Sequence, residues 1–166
     1  QKYGGISNYF CNLGLELIKK NYNISYLSPI HKNNNLKKIP KNNIYGMRLI
    51  YPKFFNFFVD KINFNLSNLI INKKKPDLIH KTYFSKNNFS FALKKFITFY
   101  DVTHELSQSK SPYLDQIIKL KKNNMSSAHH ILVPSNTVKS DLINFYNIKE
   151  NKISVTYFSS DYEKIS

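Results

Sequence analysis

Residues 128–157 constrain the fold more than any other stretch of the sequence. Residues 129–133 form a short apolar run that ends at a proline, the pattern of a strand buried on both faces. Residues 136–146 follow as a helix, for which Ser135 is a suitable N-cap. Alternating apolar residues in 153–157 predict a second strand. A strand, a helix and a strand in so few residues form a crossover unit, so the sheet is parallel at this point.

The sequence predicts both the buried face and the last residue of the helix in this unit. Three apolar residues at spacings of four and three share its buried face: Val138, Leu142 and Phe145. Asn147 is suited to leave the helix in a left-handed conformation. In parallel sheets of this kind, ligands bind at the carboxyl ends of the strands, and Ser135 stands at such an end. Other functional residues are therefore expected directly after predicted strands.

The net charge of +15 makes an anionic partner worth considering. Only Arg48 among the 25 basic residues is an arginine, the side chain preferred for bidentate contacts with phosphates and bases, so we expect no nucleic-acid partner. Two interpretations stay open. The lysines either reflect a composition biased towards Lys and Asn, or face an anionic membrane or phosphorylated substrate, where each contributes about 1 kcal/mol.

The setting of the protein follows from what the sequence lacks. Cys11 is the single cysteine, so there is no internal disulfide. No apolar run approaches the roughly 20 residues of a membrane span, and the sequence shows no secretory signal. A reducing, cytoplasmic location is expected.

Two candidate binding positions lie near predicted helix and strand ends. Gly4 and Gly5 precede a helix that Ser7 can cap, and a glycine turn opening a helix presents backbone N–H groups to an anion. A plain loop is the alternative. His80 ends a strand predicted over 77–80 and is either a ligand contact or a surface histidine without a role.

The densest cluster of chemically active side chains follows a strand predicted over 96–100. It comprises Tyr100, Asp101, His104 and Glu105. Histidine changes protonation near neutrality, and a nearby carboxylate can orient its ring. The alternative is that these residues only cap a helix and hydrogen-bond within their loop.

Two further helices are predicted from apolar periodicity. The first places five residues on one face: Phe54, Phe58, Ile62, Leu66 and Leu69. A core stripe is the favoured interpretation of this face, and a patch facing membrane or lipid is the alternative. The second, residues 113–125, has Leu114, Ile117, Ile118 and Leu120 inside and Lys119, Lys121 and Lys122 outward.

Four pieces of the sequence carry a family resemblance when taken in order. They are residues 4–9 (Gly-Gly-Ile-Ser-Asn-Tyr), 76–80 (Pro-Asp-Leu-Ile-His), 100–105 (Tyr-Asp-Val-Thr-His-Glu) and 133–155, which opens Val-Pro-Ser. Together they resemble the amino-terminal domain of the family 4, group 1 retaining glycosyltransferases of the GT-B fold, over residues 3–161. The resemblance implies an α/β fold: a Rossmann-like three-layer sandwich with a mostly parallel sheet, one half of a GT-B enzyme.

The resemblance also implies how the substrates are divided between domains. The amino-terminal domain holds the acceptor, and a carboxy-terminal domain holds the nucleotide-sugar donor, such as UDP-hexose or GDP-hexose. Gly4, Gly5 and Ile6 are then expected to approach the phosphates of the donor, and Tyr100 and Asp101 to lie near the transferred sugar. No metal and no cofactor besides this donor substrate are expected.

The remaining site residues are placed by the same resemblance. Asp101 and His104 are expected near the reacting hydroxyl, and His80, Glu105 and Ser135 along the cleft. Many family members have His-Asp where this chain has Tyr-Asp at 100–101. His104 therefore either replaces that histidine or braces the loop.

The resemblance predicts a fragment of a larger enzyme. Residues 1–161 correspond to the Rossmann-like domain without its first strand, and 162–166 form a polar tail. The donor domain is expected to be absent, because its pair of glutamates separated by seven residues has no counterpart among the glutamates of the chain. The fragment alone is then expected to be inactive, with the donor domain as its missing partner.

The predicted function is that of the acceptor-side domain of a glycosyltransferase. The enzyme would move a hexose, with retention, to a polysaccharide or glycolipid acceptor such as lipopolysaccharide, in the cytoplasm or at the inner face of the membrane. One alternative is a stand-alone basic module that binds anionic membrane or polyanionic glycan. Another is a nucleotide-dependent oxidoreductase, which the lack of a Gly-x-Gly-x-x-Gly turn after a strand disfavours.

Overall fold

The computed structural model of the chain describes residues 4–86, 94–107 and 111–157. The predicted polar tail, residues 162–166, lies outside these ranges. The polypeptide divides into two compact units, Gln1–Lys75 and Pro76–Ser166. Each unit combines parallel strands with α-helices.

The first unit, over its described residues, has a two-stranded sheet and two α-helices. In chain order its elements are α1 (Gly5–Lys19), β1 (Tyr26–His31), β2 (Ile44–Arg48) and α2 (Asn56–Lys74). The strands are parallel, and their register shifts between Leu27 and Ile30. Pro29 lies inside this irregularity, the kind of place where a strand tolerates a residue without an N–H. A small buried cluster forms the core of the unit: Cys11, Leu36 and Ile39.

Gly14 explains how α1 packs on β1. A Cβ atom at Gly14 would lie 1.8 Å from the hydroxyl oxygen of Tyr26. That hydroxyl donates a hydrogen bond to the carbonyl of Phe10 at 2.7 Å. A glycine inside a helix costs about 1 kcal/mol relative to alanine, and here it leaves the space that the Tyr26 hydroxyl fills.

Gly46 permits an equally close approach between β2 and β1. A Cβ atom there would lie 1.8 Å from the backbone oxygen of Ser28. Because a strand backbone cannot move aside like the end of a side chain, we expect Gly46→Ala to lower the free energy of unfolding by about 1–3 kcal/mol. Urea denaturation measures this change. Gly5→Ala is the matched control, since a Cβ at Gly5 would meet no atom within 4 Å. Equal stability of the two variants would contradict the prediction.

The start of α1 differs from the prediction. Ser7 is predicted to cap the helix, but the helix begins at Gly5 and Gly4 occupies the N-cap position. The Ser7 hydroxyl instead donates to the side-chain oxygen of Asn33 at 2.9 Å and accepts from Asn35 at 3.0 Å. The N-cap prediction was wrong because these partners come from a segment 26 and 28 residues further along the chain.

The buried face of α2 also differs from the prediction. The five residues expected in a core stripe are all exposed: Phe54, Phe58, Ile62, Leu66 and Leu69. The helix buries Val59, Ser67 and Ile71 instead. On the same face, Asn63 accepts a hydrogen bond from the backbone N–H of Ile30 at 2.8 Å and donates one to its carbonyl at 3.0 Å. The core interpretation was wrong because apolar residues lie on several sides of this helix, so periodicity does not identify one buried face. The hydrogen bonds of Asn63 to β1 turn the face that contains Asn63 towards the sheet.

The second unit, over its described residues, holds a four-stranded parallel sheet in the order β3-β4-β5-β6. Its elements are β3 (Leu78–Lys81), β4 (Lys94–Thr98), α3 (Thr103–Leu106), α4 (Pro112–Ser127), β5 (His130–Val133), α5 (Asn136–Tyr146) and β6 (Ile153–Val155). The crossover unit predicted over 128–157 is confirmed as β5-α5-β6. Its details hold as well: the Ser135 hydroxyl accepts from the Val138 N–H at 3.2 Å, and Asn147 is left-handed with φ 52°.

The core of the second unit lies between the sheet and its helices. Its most deeply buried apolar residues are Ile97, Phe99, Met125, Ile131, Val133 and Leu142. Phe145, predicted on the buried face of α5, is exposed, and Tyr146 packs against the Phe99 ring instead, with centroids 6.1 Å apart. The Phe145 prediction was wrong because a residue three or four positions after Leu142 can lie on the same helix face as Leu142. The packing against Phe99 selects Tyr146, four positions on, and leaves Phe145 exposed.

Candidate active site

The parallel sheet of the second unit brings three predicted site residues to one edge. Parallel strands end at a common edge of their sheet, and β3 to β6 are all parallel. His80 lies near the end of β3, Asp101 follows β4, and Ser135 follows β5. Gly4, Gly5 and Ile6 belong to the first unit, at the start of α1.

His80 is held inside the sheet by a neighbouring strand. Its Nε2 atom lies 2.8 Å from the hydroxyl of Thr98, whose side chain is fully buried. Burial lowers the pKa of His80 to about 4, because the charged imidazolium loses its hydration. His80 is therefore neutral near pH 7, and its predicted contact with substrate stays a prediction.

Asp101 begins the short segment that leads into α3. Its carboxylate accepts a hydrogen bond from the backbone N–H of Thr103 at 3.0 Å, so part of the cluster does hydrogen-bond within its own loop. Burial raises the pKa of Asp101, but hydrogen bonds from Thr103 and the charges of Lys121 and His104 together bring it below its ordinary value. The carboxylate is thus ionised and able to accept a further hydrogen bond at neutral pH.

A small pocket opens beside Asp101. Its lining combines aromatic, acidic and basic side chains: Tyr83, Phe84, Tyr100, Asp101, His104 and Lys121. The pocket volume is about 20 Å³, space for one water-sized group. The Nδ1 atom of His104 is buried and has no hydrogen-bond partner among the residues that the structure describes. The pocket therefore places an ionised carboxylate beside the His104 ring and the aromatic side chains of the lining.

A buried ion pair lies directly behind this pocket. The Nζ atom of Lys121 is 2.9 Å from Oε2 of Glu105, and the two side chains are only 2% and 4% exposed. Lys121 also donates to the backbone carbonyl of Asp101 at 3.0 Å. The Tyr146 hydroxyl donates to the other oxygen of Glu105. Both carboxylate oxygens are thus occupied within the protein, and a substrate could reach Glu105 only by displacing these partners.

The outward orientation predicted for Lys121 was wrong. Helical periodicity places Lys121 on the same stripe as Ile117, Ile118 and Met125, which faces the sheet. A lysine within an apolar stripe is usually predicted to point to solvent, because the neighbouring residues in the sequence show no partner for its charge. The partner Glu105 is 16 residues away in the sequence. The sequence feature that could have predicted the buried ion pair was a lone lysine within an apolar stripe, combined with the carboxylates of the preceding segment.

Tyr146 completes the network as a donor. Burial and the neighbouring Glu105 carboxylate both raise the pKa of Tyr146 far above its usual value. Its hydroxyl therefore keeps its proton across the physiological range and holds the carboxylate in place. Sequence reasoning missed Tyr146 because the favoured helix face included Phe145 instead.

The described residues hold no group of three histidine, cysteine, aspartate or glutamate side chains arranged to bind a metal ion. In the same part of the chain, no helix is both long enough and apolar enough to cross a bilayer.

Strands that run parallel and alternate with helices, with polar side chains at their carboxyl edge, define a Rossmann-like α/β domain. The family model described as Glycosyltransferase Family 4 matches residues 3–161. The chain belongs to this family, as the amino-terminal, Rossmann-like half of a GT-B glycosyltransferase. A comparison with curated proteins finds no match. The predicted family and fold class are confirmed, and glycosyl transfer is the reaction class of the family.

Proposed function

We propose that this chain is the acceptor-side domain of a glycosyltransferase that moves a hexose from a nucleotide sugar, with retention, to a polysaccharide or glycolipid. The observation that carries the proposal is the pocket beside Asp101. It places an ionised carboxylate and the His104 ring at the carboxyl edge of a parallel sheet, and it has room for one hydroxyl-sized group.

We propose that this pocket positions the acceptor hydroxyl and stabilises the charge that develops during transfer. An acceptor hydroxyl placed there donates a hydrogen bond to the Asp101 carboxylate while His104 fixes its direction. The hydroxyl oxygen then bonds to the anomeric carbon on the face from which the nucleoside diphosphate departs. The bond between that carbon and the phosphate oxygen breaks, the hydroxyl proton passes to the departing phosphate, and the configuration is retained. Holding the two reactants in this geometry removes much of the entropic barrier. A carboxylate aimed at the attacking hydroxyl adds electrostatic stabilisation.

The donor phosphates are proposed to bind at the start of α1. The helix begins at Gly5, so its first backbone N–H groups lack intrahelical acceptors and favour an anion. The space next to Gly5 is open, since a Cβ there would meet no atom within 4 Å. We propose that Gly4, Gly5 and Ile6 contact the diphosphate of UDP-hexose or GDP-hexose, with a donor domain as the partner that binds the rest of this substrate.

The test is a transfer assay with the enzyme that carries this domain. Radiolabelled UDP-hexose and GDP-hexose are supplied with lipid-linked and polysaccharide acceptors, and NMR of the product reports the anomeric configuration. We expect a product that keeps the configuration of the donor. A product of inverted configuration would contradict the retaining mechanism. The absence of both transfer and nucleotide-sugar binding would contradict the proposed function.

A second proposal concerns where the enzyme works, and the exposed side of α2 supports it. Four exposed phenylalanines, two just before the helix and two in its first turn, form what we term the aromatic surface: Phe54, Phe55, Phe57 and Phe58. Exposed Lys53 and Lys61 lie next to it in the sequence. Large apolar side chains flanked by lysines suit the interface of an anionic bilayer. We propose peripheral contact with anionic lipid at the inner face of the membrane, where lipid-linked acceptors such as lipopolysaccharide precursors would be met.

We expect the double variant F57S/F58S to bind anionic vesicles at least about tenfold more weakly than the unmodified protein, because each phenyl ring contributes about 1.5–3 kcal/mol when fully buried. Co-sedimentation with phosphatidylglycerol vesicles, compared with phosphatidylcholine vesicles, measures this. Phe145→Ser is the matched control, since Phe145 is exposed on α5, outside the aromatic surface. Unchanged vesicle binding by F57S/F58S would contradict the membrane proposal.

A further inference from the structure

Lys121 contacts two different parts of the segment that follows β4. Its ammonium donates to the Glu105 carboxylate at 2.9 Å and to the backbone carbonyl of Asp101 at 3.0 Å. The lysine is on α4, and both acceptors precede that helix in the chain. A single buried ammonium therefore connects the first and last residues of the segment 101–105.

The surroundings of this ammonium leave it little freedom to move. Its Nζ atom lies 5.1 Å from the ring centroid of Phe99 and 5.8 Å from that of Phe84, so two aromatic rings attract the charge. The Tyr146 hydroxyl binds the Glu105 oxygen that Lys121 does not use. With its partners fixed in this way, the lysine acts as a rigid anchor for the Asp101 carbonyl.

We propose that Lys121 is a positioning residue that fixes the segment 101–105, and thereby sets the place of the Asp101 carboxylate and the His104 ring at the pocket. The inference rests on the proposed function, because it assigns Lys121 a part in sugar transfer. Tyr146 holds Glu105, and Glu105 holds Lys121, so both residues act through the lysine.

The peptide group of Asp101 is the link between the anchor and the pocket. Fixing its carbonyl fixes the direction in which the Asp101 side chain leaves the backbone. Val102, the next residue, is buried, so the segment is held from two sides. The positive charge of Lys121 also helps to keep the pKa of Asp101 below its ordinary value. Loss of the lysine is thus expected to change the place of this carboxylate and to raise its pKa.

The experiment must separate positioning from folding, because Lys121→Met alone leaves Glu105 buried without its partner. The triple variant E105L/K121M/Y146F replaces the whole network by apolar side chains and is expected to melt close to the wild-type temperature. It still lacks the donor to the Asp101 carbonyl. We expect its kcat to be about 10- to 100-fold lower than wild type with an unchanged KM for the nucleotide sugar, since small displacements of reacting groups have effects of this size.

Two further variants calibrate the result. Lys121→Arg keeps the charge and the donors, and is expected to retain more kcat than the triple variant. Lys152→Met removes a lysine whose hydrogen bonds, among the described residues, go to the carbonyls of Met125 at 3.0 Å and Ser126 at 3.3 Å and not to the segment 101–105. Its kcat is expected to equal wild type. A triple variant that recovers wild-type stability and wild-type kcat together would overturn the inference, since the network would then be structural only.

A second readout is independent of catalysis. Carbon-13 NMR of the Asp101 carboxyl group reports its titration in the wild-type protein and in the triple variant, and we expect a higher pKa for Asp101 in the variant. If the wild-type enzyme transfers no sugar, the proposed function fails, and the backbone chemical shifts of Asp101, which report the geometry of the segment, then decide on positioning. Identical titration and chemical shifts for Asp101 in the two proteins would overturn the inference.

Discussion

Replacing Lys121 by methionine is expected to lower the free energy of unfolding by about 3–5 kcal/mol. The methionine fills nearly the same space, so the loss comes from charge and not from a cavity. The Glu105 carboxylate, 4% exposed, would remain inside the fold without the ammonium that compensates its lost hydration. Urea denaturation monitored by circular dichroism measures the change.

Lys152→Met serves as the control for this stability prediction. Lys152 donates to backbone carbonyls at the end of α4 but compensates no buried carboxylate, so its loss is expected to cost about 1 kcal/mol. The triple variant E105L/K121M/Y146F is expected to regain most of the stability that K121M loses, because no buried charge is left unpaired. Equal stability of K121M and K152M would show that the Glu105 carboxylate is not desolvated in the folded protein.

Replacing Asp101 by alanine is expected to lower turnover by about 10²–10⁴-fold, the range for losing a group that handles the reacting proton or its charge. The effect on folding is expected to be far smaller, about 1 kcal/mol, since the side chain hydrogen-bonds to Thr103 within its own loop. The measurement is kcat in the transfer assay, with the free energy of unfolding determined on the same preparation.

Two variants make the Asp101 result specific. Asp101→Asn keeps an oxygen that can accept from the Thr103 N–H but removes the negative charge, so it is expected to keep wild-type stability and lose most of the turnover. Asp115→Ala removes an exposed carboxylate in the first turn of α4 and is expected to leave turnover unchanged. Wild-type turnover in the D101A variant would exclude Asp101 from the reaction.

The crossover unit could be predicted from the sequence because each of its signals is local. Ser135 caps α5 through the N–H of Val138, three residues away, and Asn147 ends the helix by its own left-handed conformation. Residues that determine structure through neighbours in the chain carry the same information whether or not the rest of the fold is known. The parallel sheet followed from this unit. So did the common edge shared by His80, Asp101 and Ser135, since the ends of parallel strands meet there.

The family could be predicted for a related reason. The pieces that carry the resemblance mark the starts and ends of elements, and their order along the chain survives in the sequence itself. The match over residues 3–161 covers the stretch over which those pieces occur. The roles of individual residues in substrate binding are a different matter, because they depend on groups that approach from distant parts of the chain.

Sequence alone determined where the helices and strands of the β5-α5-β6 unit lie, that its sheet is parallel, and which edge carries the polar cluster. Only the tertiary structure decided that Lys121 points inward to Glu105 and Tyr146, and that α2 buries Val59 and Ile71 while its phenylalanines stay exposed. The physical reason is the same in both cases. Periodicity identifies the faces of a helix, but the face that turns inward is chosen by partners that only folding brings within reach.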